Sequence, residues 1–346
     1  MKTRSLMVLF LFAPSLGCGA VAPSDAPDGS PPDSGADAQP AGDASIDATA
    51  APLAAMEFPR SVFGAATGKD GRVRAFGGLS TVGLAKSAEA YDEATNAWSQ
   101  GAFATVPRYG HTVTEDASGH VYVLGGTSDG ADPIAGVEVY DPASDSWSAA
   151  PDMPTARLGL AAATAKDGRI FAIGGGVPGS PMSVVEIYSP DTKAWTTGPS
   201  MPTARLSLQA VTGPDGLIYA IGGRDANTTP LAVVEVLDPV KGTWTSGPSM
   251  ASARYWFGAT LAQDGRIVVA GGIGDTGFLD GVEALEVGVG WSKLAKLPET
   301  RAWLAAAVTP AGHVLAIGGS HPSGPGQPAP LATMFSYDPT SNAWSQ

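Results

Sequence analysis

The stretch "DGRIFAIGGG", Asp167 to Gly176, sets an apolar run directly before consecutive glycines. A phosphate-cradling loop after a strand has that layout, and so does a strand that ends where two backbones must come close. The number of occurrences decides between them. Gly-Gly pairs stand at Gly77-Gly78, Gly125-Gly126, Gly174-Gly175, Gly222-Gly223, Gly271-Gly272 and Gly318-Gly319, spaced 48, 49, 48, 49 and 47 residues apart. An arginine precedes each pair in the same rhythm, at Arg60, Arg108, Arg157, Arg205, Arg254 and Arg301. A tryptophan closes each unit, at Trp98, Trp147, Trp195, Trp244, Trp291 and Trp344. Six phosphate loops in one register have no chemical use, so the glycines read as architecture.

A single unit shows what is repeated. From Arg157, an apolar stretch (strand A) meets the turn residues Asp167-Gly168, followed by "RIFAIGG" (strand B), "VVEIYSP" (strand C) and "KAWTTGP" (strand D). Each run is short, rich in β-branched or aromatic residues, and bounded by Gly, Pro, Asp or Ser. Asp-Gly recurs at Asp70-Gly71, Asp215-Gly216 and Asp264-Gly265, with Ser118-Gly119 and Ala311-Gly312 in the remaining units. It is a tight-turn signal because both residues tolerate positive φ. A period near 48 with Gly-Gly and Tyr…Trp resembles the kelch repeat, a four-stranded propeller blade. The resemblance covers residues 53–346 and implies an all-β fold: a six-bladed β-propeller of kelch type, with four antiparallel strands per blade. Blades four and five carry Leu237 and Leu285 at the tyrosine position, and blade six departs most, with Phe335-Ser336-Tyr337-Asp338. No strand is shared between the chain ends, so the sequence leaves the closure of the ring open.

The N-terminal 52 residues do not belong to the repeat. Lys2 and Arg4 precede "LMVLFLF" (Leu6 to Phe12), an apolar run too short to span a bilayer, and small residues lead to Cys18, the single cysteine of the chain. That is the layout of a secretory signal over residues 1–17. "SLGC" (Ser15 to Cys18) resembles the bacterial lipobox, with Ser15 where a large aliphatic residue is usual. The resemblance implies lipidation at Cys18, export and anchoring to the cell envelope, with the membrane met through the lipid alone. An ordinary secretory signal with an incidental cysteine is the plainer alternative. Residues 18–52 are almost entirely Ala, Asp, Pro, Gly and Ser, which cannot bury enough apolar surface to offset chain entropy. They read as a disordered tether, whose 34 residues after Cys18 would reach about 30–35 Å.

Charge narrows the partners. The chain carries 20 basic and 33 acidic residues, a net of −13, and removing the signal's two bases and the tether's six Asp leaves 18 and 27, a net of −9. Nucleic acid is not expected as a partner for so acidic a surface. The four histidines, at 111, 120, 313 and 321, lack metal-ligand spacing, and no nucleophile–base motif is legible. No catalytic residue, metal or cofactor is expected. The galactose-oxidase type of kelch enzyme joins a cysteine to a tyrosine, and Cys18 lies outside the propeller, which excludes that chemistry.

Propellers place function in loops at one mouth of the channel. The B–C loops vary ("LSTVGLAKS", "TSDGADPIAG", "GVPGSPMSV", "RDANTTPLAV", "IGDTGFLDG", "SHPSGPGQPAPLA") and share a face with the D–A connections that carry the arginines. Pairing with Glu89, Glu138, Glu186, Glu235 and Glu283 would make those arginines structural. Some animal kelch proteins use arginines at this motif position to hold acidic peptides, which implies a binding role instead. Blade six has Phe335 in place of the repeated acid, so Arg301 is expected to keep donors for an outside group. Trp256 and Trp303, additional to the framework tryptophans, with Arg108, Tyr109, His111, Arg254, Tyr255 and Arg301, compose the expected ligand patch. Trp256 and Trp303 filling the channel is the structural alternative. The expected function is non-catalytic binding of a protein or glycan by a monomer. The rival is an envelope sugar enzyme resembling the kelch-type sialic-acid mutarotases.

Overall fold

The structure is a computed structural model that describes residues 52–130, 132–322 and 328–346. The signal segment, Cys18 and the tether up to residue 51 lie outside the described residues. Six four-stranded antiparallel sheets follow one another, each built from a contiguous run of chain in the order A-B-C-D. In blade three these strands are Ala161–Thr164, Ile170–Ile173, Val185–Ser189 and Ala194–Thr197. Burial explains the sequence of each. Strand B lies between A and C and is covered by both neighbouring blades, so all four residues of Ile170–Ile173 are buried and the run is continuously apolar. Strand D is an outer edge and reads as polar "AWTT", mostly exposed.

The blades share their cores. Phe171, Ile173 and Val185 of blade three pack with Leu208, Ile218, Ala220 and Leu237 of blade four. Each of these Phe, Ile, Val and Leu side chains, fully buried, contributes about 1.5–3 kcal/mol. Within a blade the tyrosine of strand C sits directly opposite the tryptophan of strand D, as Tyr188 does opposite Trp195 with ring centroids 5.1 Å apart. That tryptophan also binds outward. Trp98, Trp147, Trp195, Trp244, Trp291 and Trp344 donate Nε1–H to the carbonyls of Ala54, Ala102, Pro151, Pro199, Pro248 and Ala295, at 2.8–3.0 Å. Five of the accepting carbonyls lie in the segment that leads into the tryptophan's own blade, and Ala102 lies near the end of the strand Ala97–Phe103 before it.

The glycine pair is the other blade-to-blade joint. Gly174 has φ 61°, and a Cβ there would stand 2.8 Å from the carbonyl oxygen of Arg205 in the next blade. The N–H of Gly175 (φ 83°) donates to that same carbonyl at 3.0 Å. No side chain fits between the two backbones, and the left-handed region favours glycine in any case. The same bond recurs in every blade, and Gly319 N–H closes the circle on the Arg60 carbonyl at 2.9 Å.

The ring therefore closes without a shared strand. Met56 and Arg60 donate backbone N–H to Ala332 and Leu331 of blade six at 2.9 and 3.0 Å. The segment before Arg60 plays the part that the D–A connection plays elsewhere. On the opposite face, Glu93 of blade one accepts from Thr309 Oγ1 at 2.8 Å and meets His313 Nδ1 at 2.6 Å. Phe63, Val73 and Tyr91 complete the seam against Leu315, Ile317 and Met334.

Candidate functional site

The six arginines open each blade and turn inward. Arg108, Arg157, Arg205 and Arg254 meet Glu138, Glu186, Glu235 and Glu283 at 2.8, 2.8, 2.5 and 2.6 Å. Arg60 pairs with Glu89 in the same way. The arginine side chains are 0–2% exposed and the glutamates 1–7%. Each guanidinium also reaches backbone carbonyls, as Arg254 Nη1 does to Gly271 and Gly281, both at 2.8 Å. Burial lowers the arginine pKa values, and the glutamate partner pulls them back up. The glutamates bind the incoming connection as well: Ala251 N–H donates to Glu283 at 2.7 Å, and Thr155 Oγ1 to Glu186 at 2.7 Å.

Arg301 corrects the expectation that it lacks an acid. Glu299, two residues earlier, meets its Nη2 at 2.5 Å, while Thr333 takes Nη1 and Nη2 through its carbonyl and hydroxyl at 2.9 and 3.0 Å. The guanidinium lies 4.2 Å from the centroid of Phe335, the residue that replaces the usual glutamate. Arg301 is 0% exposed, like Arg254, so neither guanidinium presents itself at the mouth.

Two residues after each arginine the chain forms a ring of its own. Val62, Gly110, Gly159, Ser207, Trp256 and Trp303 all have positive φ, between 51° and 65°. Each N–H donates to the carbonyl of the equivalent residue in the preceding blade, at 2.6–3.1 Å, and Val62 N–H closes the circle on Trp303. Glycine suits two of these positions, but valine and tryptophan there are outliers that the closed circle enforces. A cavity of about 110 Å³ lies in the channel, lined by residues of all six blades, among them His111, Ser207, Gln209, Trp256 and Trp303.

That cavity is not apolar throughout. His111 is buried and its Nε2 lies 3.0 Å from the Phe76 carbonyl, which makes Nε2–H the donor and leaves Nδ1 an acceptor with no partner among the described residues. Burial first, then Arg108, lowers its pKa to about 3, so the ring is neutral at pH 7. Ser207 Oγ is likewise buried and unpartnered. Gln209 donates from Nε2 to the Phe257 carbonyl at 2.9 Å. Trp303 is partly exposed and packs edge-on against Phe278 of the blade-five B–C loop, centroids 5.1 Å apart.

Residues 64–272 match the KLHDC2/KLHL20/DRC7 Kelch-repeats domain. The chain belongs to the kelch-repeat family. Among solved structures it resembles YjhT, published as "Structure of YjhT", with a TM-score of 0.71 at 17% identity, over 84% of this chain and 98% of that one. Identity that low carries the fold alone. No curated protein matches the chain.

Within this kelch propeller the expected ligand residues separate by depth. Arg108, Arg254, Arg301 and Tyr255 are buried, the last with the Arg224 guanidinium 5.4 Å from its ring centroid. Tyr109, Trp256 and Trp303 remain partly exposed, and His111 lines the cavity beneath. Residues 323–327 of the long blade-six loop lie outside the described residues. His120 and His313 pair with Asp116 and Glu93 on the opposite face, at 3.1 and 2.6 Å. Sequence reasoning did not single out Ser207, Gln209 or Glu115. The signal for Ser207 was its register with Trp256 and Trp303, two residues after the arginine.

Proposed function

We propose that this kelch propeller is a binding module that takes a hydroxyl-rich ligand, a glycan, at the mouth bearing Trp256 and Trp303. The observation that carries the reading is that two partly exposed indoles stand at a channel cavity whose lining includes His111 and Ser207, residues that each bury an unpartnered polar atom, Nδ1 and Oγ, just behind its wall. Indole faces suit the apolar face of a sugar ring, while a buried acceptor and a hydroxyl reward hydroxyl groups. At about 110 Å³ the cavity has room for three or four waters of roughly 30 Å³ each, so it suits the edge of a ligand whose body lies over the tryptophans. Binding is favoured over sugar isomerisation because the acids of the blade framework are engaged with arginine, and His111, with its pKa near 3, is a weak base. The same proposal keeps the protein exported and lipid-anchored through Cys18, on the strength of residues 1–18.

A glycan array probed with the full chain, followed by calorimetry on the best ligand, tests the site. Trp256→Ala and Trp303→Ala should each weaken binding by about 2 kcal/mol, roughly 30-fold, with melting little changed. An array without a hit, or variants that bind as well as the parent, would refute it. Cys18→Ser should move the protein out of the membrane fraction, and unchanged membrane association would refute the anchor.

A further inference from the structure

The other end of the channel opens as a bowl of about 520 Å³, lined by the C-terminal halves of all six A strands. Those strands end at Thr67, Glu115, Thr164, Thr212, Leu261 and Val308. Thus one position in a ring of threonine and aliphatic residues carries a carboxylate. The threonines are accounted for: Thr67, Thr164 and Thr212 donate their hydroxyls to the carbonyls of Val308, Glu115 and Thr164 across the seams, at 2.6, 2.6 and 2.8 Å.

The Glu115 carboxylate is not. Among the described residues it makes no hydrogen bond and no ion pair, and its Oε2 is buried without a partner. The charged groups around it are Asp116, Lys69, Arg74 and Asp70. Arg74 is held by Asp70 at 2.8 and 2.5 Å, and Asp116 by His120 at 3.1 Å. Lys69 is exposed, and Lys166, on the bowl's wall, donates to the Pro214 carbonyl at 2.8 Å. Burial, reinforced by Asp116, raises the Glu115 carboxyl to about 7. A group left so costly to ionise is one that an incoming cation would satisfy.

We propose that the bowl is a second binding site, taking a primary ammonium on an aliphatic stem, with the ammonium on Glu115. Ala66, Ala163, Val211, Leu261 and Val308 give the stem apolar wall. The propeller's net of −9 draws cations toward it. A divalent metal fits less well, because the described residues hold no group of three His, Cys, Asp or Glu side chains. The site is independent of the tryptophan mouth, so either proposal can fail alone.

The test is calorimetry on the full chain with two probes: pentylammonium for a free amine, and Nα-acetyl-lysine N-methylamide for a lysine side chain carried on backbone. The tighter of the two identifies the source. Both probes stay charged between pH 5 and 8, so ionisation of Glu115 should raise their affinity on the order of 100-fold over that range. Glu115→Gln should bind neither and should melt no lower than the parent, while Trp303→Ala should bind as the parent does. No binding by either probe, equal binding by Glu115→Gln, or affinity that falls with rising pH would overturn the proposal.

Discussion

Arg157 and Arg301 reach the same buried state by different routes, one through Glu186 on strand C and the other through Glu299 on its own connection. Register matching across the blades exposed the first pair and hid the second, because Glu299 sits where no other blade has its acid. Arg157→Ala is expected to cost about 3–5 kcal/mol, since it strands the buried Glu186. Arg301→Ala is expected to cost about 1–3 kcal/mol, since it removes buried hydrogen bonds to Gly318 and Thr333 while Glu299 keeps its access to water. Chemical denaturation checks this, and a folded Arg301→Ala of parental stability would contradict it. Two titrating residues act oppositely with pH. Glu115, raised from 4.5 to about 7, holds in the folded chain a proton that the unfolded chain has released. The stability this lends is full below about pH 4.5 and is lost as pH rises through 7. Melting of Glu115→Gln should therefore improve relative to the parent between pH 4.5 and 8. His111, lowered from 6.5 to about 3, has the reverse sign: stability is lost as pH falls from 6.5 toward 3.

At the scale of elements, strand order, turn positions and the Gly-Gly joint were all legible, because each rests on local chemistry repeated six times. Gly174→Val and Gly222→Val should each destabilise by about 1–3 kcal/mol or more, through positive φ and a Cβ that would stand 2.8 and 2.7 Å from the Arg205 and Arg254 carbonyl oxygens. Thermal melts measure this, and parental melting in either variant would contradict the joint. The left-handed circle at the mouth was not legible. Gly110 and Gly159 hint at positive φ, but Trp256 at φ 51° and Trp303 at φ 57° do not, since bulky residues avoid that region unless tertiary structure imposes it. Those tryptophans entered the reading through their aromatic chemistry, and the backbone that presents them came only from the closed ring. Glu115 stayed hidden for a related reason. An acid that ends an edge of the channel looks in sequence like any solvated turn residue.

At the scale of the whole molecule, closure depends on contacts between residues more than 200 positions apart, which a repeat pattern does not encode. The segment ahead of Arg60 supplies the carbonyl for Trp98 and backbone donors to Glu89 and to blade six. Removing residues up to 59 should therefore lower melting far more than removing residues up to 51, and equal melting of the two truncations would contradict this closure. The eight tryptophans give the most direct view of function. Six hold their indole N–H in bonds to backbone carbonyls of the framework, whereas Trp256 and Trp303 have no such partner among the described residues. In a nitrogen-15 indole spectrum of the full chain titrated with the best glycan, the Trp256 and Trp303 signals should move and the six framework signals should stay in place. Movement confined to framework signals, with Trp256 and Trp303 unmoved at saturation, would contradict a ligand site at this mouth.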